Sequence, residues 1–492
     1  MSESHGLYID GKWEIPPGAK TFSTHNPATG DELGTFVAAR PEDVERAVAA
    51  AHKAFKSWRE VPAPKRGRIL LQAAEIYRRD KASLGRTVTM EMGKILPEGL
   101  GDVQEAIDFI EYASGEGRRL LGETVPSELR NKACLTLRQP KGVVAAITPW
   151  NFPTAIPNWK IAAALISGNT VVFKPASNTA LCGTRVVQAY AEAGLPPGVL
   201  NLVTGSGGVV GDTLVSDPRV RAVSFTGGSD TGREVYLKGA QKLKYVHLEL
   251  GGKNPQIVMD DANLDLALEG VLFGAFGSAG QRCTATSRLI LHQDIYEEFL
   301  GRLIERLRRL RVGNPLDEGV EMGPVASAEQ ERKVLGYIEI GKKEGAELLL
   351  GGTKLTGAPY DRGFFIAPTV FAATHGMRIT KEEIFGPVLS VLKVRDFEEA
   401  VRVANDVDYG LSSSIYTRDV NLSFQAMERL EAGITYINAP TIGAEVQLPF
   451  GGIKNTGNGG REAGTTAIDE FTEIKTVFVD FSNRLQKAQI DA

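Results

Sequence analysis

The stretch "GVVAAITPWNFPTAIPNWKIAAALISGNTVVFK" (residues 142–174) predicts a strand, a helix and a second strand in direct succession. The runs at 143–148 and 170–174 are short and apolar, which is typical of strands buried on both faces. The segment between them continues through "NWKIAAALI" as a helix. Two such strands joined by a helix favour a parallel sheet that helices cover on both sides.

The same alternation extends on both sides of this stretch. Later apolar runs at 199–203, 221–226 and 245–250 are predicted strands, separated by helical or Gly-rich segments. A second series begins near 255–259 and continues through 287–292 towards the C terminus. The chain therefore belongs to the α/β class and is predicted to contain two parallel sheets.

The first third of the chain is mostly helical. Residues 41–58 open with Pro41 and two acidic residues and then repeat apolar residues at helical spacing, which predicts a capped surface helix. Two more helical segments are predicted before residue 115. Residues 122–142 are polar at the centre and extended at the ends, a pattern that predicts a protruding two-stranded ribbon.

The composition favours a small-molecule ligand. The chain has 492 residues, 42% of them hydrophobic, and 56 basic against 60 acidic residues give a net charge of −4. Such a balance provides no basic field for nucleic acid or for an anionic membrane. The longest apolar runs are far shorter than the roughly 20 residues of a membrane helix.

The three cysteines, Cys134, Cys182 and Cys283, are too few and too scattered for a disulfide framework, and no Cys/His pair has the spacing of a zinc site. Cys134 and Cys182 are interpreted as packing residues. The N terminus has neither a signal-peptide core nor an Arg-rich transit character. We therefore expect a reduced, cytoplasmic protein without a bound metal.

Two Gly-rich turns could approach a phosphate group. "FTGGSDTG" (225–232) places Gly227 and Gly232 where a strand passes into a helix, so the backbone there could approach a pyrophosphate. The spacing is not the dinucleotide fingerprint, and an ordinary tight turn is an equally good interpretation. The turn at 205–211, which begins with Gly205, is a weaker signal.

Polar side chains end three of the predicted strands. Lys174 stands at the carboxyl end of its strand, where parallel sheets bind ligands, although a solvated loop lysine would look the same. Glu249 ends a strand in "HLELGG" (247–252), between two leucines and ahead of two glycines. A carboxylate in this apolar setting must be paired, protonated or functional. Asn151, between Trp150 and Phe152, could donate to an oxyanion.

These residues together resemble the aldehyde dehydrogenase superfamily. Asn151, Lys174, Gly227, Glu249 and Cys283 occur in this order, each inside its own motif, and "LELGG" and "FGSAGQRCT" resemble the two active-site signatures of that family. The resemblance runs from "YIDGKW" (8–13) through "EEIFGPV" (382–388) to "LPFGGIK" (448–454). One departure is visible: "KNTGNGGRE" (454–462) is one residue longer than the family pattern, at no expected catalytic position.

The resemblance implies a mechanism. Cys283 is the expected nucleophile and Glu249 the expected general base, with the Asn151 amide and the Cys283 N–H holding the oxyanion. Hydrolysis of a thioester would then release the acid. Relatives that pass the acyl group to coenzyme A are expected to lack this carboxylate, so acyl-coenzyme A formation is the alternative. A catalytically silent structural or binding member would have lost Cys283 or Glu249.

The resemblance also assigns the cofactor and substrate residues. It places Lys174 and Glu383 at the two riboses of NAD(P), Gly205, Gly227 and Gly228 at Gly-rich turns, and Trp150 and Phe385 in the cofactor cleft. Ser177 stands where many NAD-preferring relatives carry glutamate, so we expect NADP to be accepted and preferred, with NAD also usable. The expected lining of the aldehyde tunnel is Phe152, Trp159 and Phe450.

The expected architecture is α/β, with two doubly wound parallel-sheet domains and a small β-ribbon for oligomerisation. A Rossmann-like cofactor domain would comprise residues 1–122 and 141–251, and a catalytic domain 252–466. The oligomerisation element would comprise 123–140 and 467–492, with residues 469–481 paired to the ribbon at 123–140. It would assemble a homodimer or homotetramer. The substrate motifs look most like the branch that oxidises 2-oxoglutarate semialdehyde, ahead of other semialdehydes and of general aliphatic or aromatic aldehydes.

Overall fold

A computed structural model describes residues 3–490 of the chain. The strands, in chain order, are β1 (Ser4–His5), β2 (Leu7–Ile9), β3 (Lys12–Glu14), β4 (Thr21–His25), β5 (Glu32–Val37), β6 (Thr124–Val125), β7 (Lys132–Pro140), β8 (Val143–Ile147), β9 (Thr170–Lys174), β10 (Leu200–Leu202), β11 (Val220–Thr226), β12 (Tyr245–Glu249), β13 (Asn254–Val258), β14 (Thr286–His292), β15 (Glu347–Leu350), β16 (Thr369–Ala372), β17 (Val388–Val394), β18 (Tyr409–Gly410), β19 (Ser412–Tyr416), β20 (Ile434–Ile437), β21 (Ile453–Lys454) and β22 (Thr472–Asp480).

The α-helices are α1 (Pro41–Trp58), α2 (Ala63–Arg79), α3 (Lys81–Met92), α4 (Leu96–Glu116), α5 (Ala155–Ile166), α6 (Ala180–Glu192), α7 (Asp212–Ser216), α8 (Ser229–Ala240), α9 (Leu264–Phe276), α10 (Tyr296–Arg308), α11 (Ala328–Lys343), α12 (Arg378–Lys381), α13 (Phe397–Asn405), α14 (Val420–Arg429) and α15 (Ala467–Phe471). No helix within residues 3–490 is both long and apolar enough to cross a membrane.

The first sheet has seven strands in the order β12-β11-β8-β9-β10-β2-β3. Strands β8 to β12 run parallel to one another, as the sequence predicts. All residues of β8, α5 and β9 are buried, because helices cover both faces of the sheet and further helices cover α5. The antiparallel hairpin β2–β3 at the far edge was not predicted, since its strands are too short to show a pattern.

The second sheet also has seven strands, in the order β15-β16-β17-β14-β13-β19-β20. Its strands are parallel except for β15, which pairs antiparallel with β16 at the edge. With its helices it forms a separate apolar core around β14 and β17. The predicted α/β fold with two parallel-sheet domains is therefore confirmed.

The expected two-stranded ribbon is formed by β6 and β7. β22 pairs antiparallel with the other side of β7, from Thr472 opposite Pro140 to Asp480 opposite Lys132, so the sheet has three strands. The predicted pairing of 469–481 with the ribbon is thus confirmed. Three helices, α2 to α4, follow α1 where two were expected, because the short turns between them leave little break in the apolar pattern.

Candidate active site

The predicted site residues gather where the two sheets face each other. Lys174 and Glu249 end β9 and β12, and Asn151 and Gly227 follow β8 and β11, so all four lie at the carboxyl edge of the first sheet. Cys283 comes from the second sheet, in the loop before β14. Asn151 and Cys283, 132 positions apart in the chain, thus line one cavity.

The loop that carries Cys283 has an unusual backbone. Ser278 and Ala279 adopt φ angles of 50° and 53°, in the left-handed region, and Gly280 follows at 67°. A Cβ at Gly280 would lie 2.2 Å from the carbonyl oxygen of Gly386, so only glycine fits. The Asn254 side-chain amide donates to the carbonyl of Cys283 at 2.8 Å. These contacts fix the nucleophile candidate against the loop that precedes β17.

Two cavities meet at Cys283. The first, about 180 Å³ in volume, is lined by Pro149, Trp150, Asn151, Ile156, Thr226, Gly227, Gly228, Leu250, Gly251, Cys283, Gln330, Lys333, Glu383 and Phe385. The second, about 110 Å³, is lined by Glu105, Phe152, Ile156, Trp159, Thr226, Glu249, Leu250, Arg282, Cys283, Thr284, Ile442, Gly443, Ala444, Phe450 and Glu462. Asn151 thus shares the first cavity with Cys283, and Glu249 shares the second.

The Cys283 thiol rests in its neutral form. Burial, followed by the nearby carboxylates of Glu383 and Glu249, raises the pKa of Cys283 above its ordinary value. Because only the thiolate is a strong nucleophile, this thiol needs a base or an added positive charge before it can attack a carbonyl.

Glu249 is buried without direct stabilisation of its charge. Neither of its carboxylate oxygens has a hydrogen-bond partner within residues 3–490, and burial followed by the neighbouring Glu462 carboxylate raises its pKa well above the ordinary value. A Cβ at Gly451 would lie 2.6 Å from Glu249 Oε1, so this glycine leaves room for the carboxylate. A carboxylate with a raised pKa beside a thiol is a candidate general base.

A matching family model covers most of the chain. The model of the aldehyde dehydrogenase family matches residues 13–477. The chain belongs to the aldehyde dehydrogenase family. It is 45% identical to an alpha-ketoglutaric semialdehyde dehydrogenase of Bacillus subtilis, over 96% of this chain and 97% of that protein.

A second curated relative and a solved structure agree with this assignment. A 2,5-dioxopentanoate dehydrogenase of Saccharolobus solfataricus is 43% identical over 95% of this chain and 98% of that protein. A betaine aldehyde dehydrogenase of Staphylococcus aureus, solved in complex with NAD⁺, superposes with a TM-score of 0.96 at 35% identity, covering 98% of this chain and 96% of that one. The chain is therefore an NAD(P)-dependent aldehyde dehydrogenase.

The predicted cofactor residues of this dehydrogenase form two groups. Trp150, Gly227, Gly228, Glu383 and Phe385 line the first cavity. The Trp150 and Phe385 rings meet edge to face at 5.3 Å, and Glu383 Oε1 accepts from the backbone N–H of Gly252 at 2.9 Å. Gly228 is the N-cap of the 12-residue helix α8, whose first N–H groups lack intrahelical partners.

The second group comprises Lys174, Ser177 and Gly205, which do not line either cavity in the described part of the chain. The Ser177 hydroxyl donates to the carbonyl of Gly205 at 3.0 Å, and Lys174 Nζ donates to the carbonyl of Pro175 at 3.0 Å. Burial lowers the pKa of Lys174 to about 8. A cation with so few partners is suited to bind an anionic or hydroxyl-rich ligand.

The predicted tunnel residues line the second cavity together. The rings of Trp159 and Phe450 meet at 4.9 Å, and Phe152 lies on the same cavity. Trp159 also packs 6.2 Å from Phe109 in the core, so it belongs both to the core and to the wall of this cavity.

Sequence reasoning missed the charged residues around Glu249. Lys160 Nζ forms an ion pair with Glu462, which lines the second cavity, and His247 Nε2 lies 3.7 Å from Glu249 Oε1. Lys160 and Glu462 stand within the motifs "NWK" and "GGRE", but a charge in an apolar helix gives no indication of a partner 302 residues away. A buried lysine was the one available signal, because it requires a partner.

The segment that departs from the family pattern lies beside the candidate base. The backbone N–H of Leu250 donates to the carbonyl of Thr456 at 2.7 Å, and that of Leu248 donates to Asn458 Oδ1 at 3.0 Å. Residues 456–458 therefore run along the outer edge of β12. The longer segment replaces no expected catalytic residue, but it contacts the strand that carries Glu249.

Proposed function

We propose that this aldehyde dehydrogenase oxidises 2-oxoglutarate semialdehyde (2,5-dioxopentanoate) to the dicarboxylic acid. The position of Cys283 where the two cavities meet carries the proposal, because an aldehyde in the second cavity would reach the thiol and the cofactor cleft together. The two curated relatives, named for this substrate and more than 40% identical, support the choice of aldehyde.

We propose the following roles for the three catalytic residues. Glu249 takes the thiol proton, the Cys283 sulfur bonds to the carbonyl carbon, and the buried Asn151 amide donates to the resulting oxyanion. After hydride has left, a water loses a proton to Glu249, its oxygen attacks the thioester, and the C–S bond breaks. Removing an oxyanion donor costs about 2.7–4 kcal/mol of barrier, so Asn151→Ala should lower kcat by 10²–10³.

The cleft fits a nicotinamide dinucleotide. A Cβ at Gly228 would meet nothing within 4 Å, so the start of α8 is open towards the cleft, as pyrophosphate binding requires. When bound, the cofactor supplies the hydride acceptor. Gly227 and Gly228 would hold its pyrophosphate, Trp150 and Phe385 would flank the nicotinamide, and Glu383 would bind the adjacent ribose.

NADP is proposed as the preferred cofactor. Lys174, Ser177 and Gly205 would surround the adenosine ribose, where no carboxylate of this group opposes a 2′-phosphate of charge about −1.5 to −2. The Ser177 hydrogen is engaged with Gly205, so Lys174 would be the principal phosphate donor. Ser177→Glu should reverse the preference by lowering kcat/KM for NADP while sparing NAD. A wild-type protein at least tenfold better with NAD contradicts this proposal.

Arg282 is proposed to bind the acid end of the substrate. It lines the tunnel and also an adjoining cavity of about 500 Å³, and its guanidinium stacks over Phe152 at 5.4 Å. Within residues 3–490, Arg282 Nη2 donates to Glu98 Oε1 at 3.0 Å and Nε donates to Ser278 Oγ at 3.3 Å. The remaining donors can bind a carboxylate, which is the geometry that arginine favours.

The test is a substrate comparison. NADPH and NADH formation is measured with 2-oxoglutarate semialdehyde, succinate semialdehyde, benzaldehyde and pentanal, with and without coenzyme A. We expect the highest kcat/KM for the first. Arg282→Met should raise KM for the acidic aldehydes at least tenfold and leave pentanal unchanged. A preference for pentanal or benzaldehyde in the wild-type protein contradicts the proposed substrate.

The same experiment addresses the two alternatives. Acyl-coenzyme A formation is not favoured, since Glu249 is present to activate water, and it would appear as a thioester product only when coenzyme A is added. A silent family member would form no NAD(P)H with any of the aldehydes.

We further propose the division of the chain that the sequence predicts. Residues 1–122 and 141–251 form the cofactor domain and 252–466 the catalytic domain, which agrees with the strands that each sheet uses. Residues 123–140 and 467–492 form an oligomerisation ribbon in a cytoplasmic homodimer or homotetramer. Of the residues in this division, Met1, Ser2, Asp491 and Ala492 lie outside the described part of the chain.

A further inference from the structure

The proposed mechanism uses Glu249 twice in each turnover. It first takes the proton of the Cys283 thiol and later takes a proton from the hydrolytic water. Glu249 must therefore lose the first proton before it can take the second, while substrate and cofactor still fill the cavities. A second proton acceptor beside Glu249 would satisfy this requirement.

His247 occupies that position. It lies two residues before Glu249 on β12, so both side chains point to the same face of the sheet. Its Nε2 is 3.7 Å from Glu249 Oε1 and 3.7 Å from Glu462 Oε1, and its Nδ1 is 3.0 Å from Glu470 Oε2. The ring is 5% exposed.

The other charged groups around the ring already have partners. Glu462 forms an ion pair with Lys160, which also donates to Ser224 Oγ at 2.9 Å. Glu470 accepts from the backbone N–H of Arg461 at 3.2 Å, and Lys141 Nζ donates to its carbonyl oxygen at 2.7 Å. Glu462 is thus engaged by Lys160, whereas His247 Nε2 has no hydrogen-bond partner within residues 3–490 and is open to receive a proton from Glu249.

The backbone leaves space for the histidine and its partner. A Cβ at Gly460 would lie 2.1 Å from His247 Nδ1 and 2.3 Å from Glu470 Oε1. The His247–Glu470 contact therefore requires glycine at this position. Gly460 belongs to the segment 454–462, which is one residue longer than the family pattern. The segment that departs from the family pattern is therefore also the one that leaves room for the His247–Glu470 contact.

We propose that His247 stores the thiol proton between the two half-reactions. This proposal rests on the proposed roles of Cys283 and Glu249. In the storage step, one proton moves from the Glu249 carboxyl to Nε2 of the His247 ring, which restores the Glu249 carboxylate. The Glu470 carboxylate, 3.0 Å from Nδ1, would stabilise the imidazolium that forms. After the C–S bond breaks, Glu249 gives the water proton to the Cys283 thiolate, and the stored proton then passes from His247 through Glu249 to water once the acid has left. His247 is a positioning residue, since it acts through Glu249.

Rapid-mixing kinetics with the full-length protein test this role. His247→Gln should retain a burst of NAD(P)H close to one per active site, while the steady-state rate falls about tenfold or more. Glu470→Gln should show the same split to a smaller extent. With His247→Ala, added imidazole should restore the steady-state rate. His292→Gln, another buried histidine at a strand end, is the matched control and should leave both phases unchanged.

The outcomes separate this role from the proposed function. If the wild-type protein forms no NAD(P)H from any aldehyde, the proposed function fails. If the wild-type protein is active and His247→Gln hydrolyses the thioester at the wild-type rate, proton storage by His247 is excluded. Equal losses of burst and steady-state rate in a folded His247→Gln variant, together with no rescue of His247→Ala by imidazole, would show a purely structural role and would also overturn proton storage.

Discussion

The thiol of Cys283 is the residue on which oxidation depends. Cys283→Ala removes the nucleophile and leaves the cavities intact, so we expect kcat for aldehyde oxidation to fall by more than about 10⁴-fold, as removal of a nucleophile does elsewhere. Initial rates of NAD(P)H formation measure the loss. Cys134→Ala, in the ribbon strand β7, is the control and should retain full activity. A kcat of Cys283→Ala close to that of the wild-type protein would contradict the assignment.

The charge on Glu249 should set the pH dependence of the reaction. Burial and then Glu462 raise its pKa, so the carboxylate is protonated at low pH and appears only as pH rises through this raised pKa. A base must be deprotonated to act, and kcat should therefore increase with pH over this range. Glu249→Gln should abolish the increase and lower the rate at every pH. The exposed Glu428→Gln variant should keep the wild-type profile.

At the scale of elements, the loop before β14 controls the placement of the thiol. Gly280 has a φ of 67° and its hydrogen faces the carbonyl of Gly386, so Gly280→Ala introduces both strain and a clash. We expect the free energy of unfolding to fall by at least about 1 kcal/mol and activity to fall with it. Denaturant titration and initial rates measure the two effects.

Gly301 provides the matched control for this variant. It lies in helix α10, where a Cβ would meet nothing within 4 Å. Gly301→Ala should therefore stabilise the protein by about 0.5–1 kcal/mol without changing activity. An unaltered stability and rate in Gly280→Ala would show that the loop can move away from Gly386.

The elements that the sequence predicted best were those with uniform burial. Strands β8 and β9 are buried along their whole length, and this environment leaves an apolar run in the sequence of each strand. The hairpin β2–β3 left no such signal, because each strand has three residues and one side of β3 is exposed. Its place in the sheet depends on the distant pairing with β10.

At the scale of the whole molecule, the site depends on how the two sheets meet. The family motifs identified Cys283 and Glu249, but the cluster of His247, Glu462 and Glu470 depends on contacts between residues about 215 positions apart. No local pattern reports such contacts. The order of strands within each sheet was likewise set by crossover connections that the sequence alone did not reveal.

The ribbon should hold copies of the chain together. Ile474 and Phe478 on β22 are 57% and 64% exposed, and β22 is an edge strand with one side unpaired along nine residues. Exposed apolar side chains on an open edge are typical of a surface that another chain covers. Ile474→Lys and Phe478→Lys together should place two charges in that interface and convert the oligomer into monomers.

Size-exclusion chromatography with light scattering gives the mass of each species directly. Leu71→Lys, which places a lysine at a 46% exposed apolar position on helix α2, should keep the mass of the wild-type assembly. The segment after Gly460 contributes to both the active site and the ribbon. Glu470, which contacts His247, lies in α15, and the ribbon strand β22 begins directly after this helix. Monomers of the double variant should therefore also lose steady-state rate more than burst amplitude. A double variant of unchanged mass would show that assembly uses another surface.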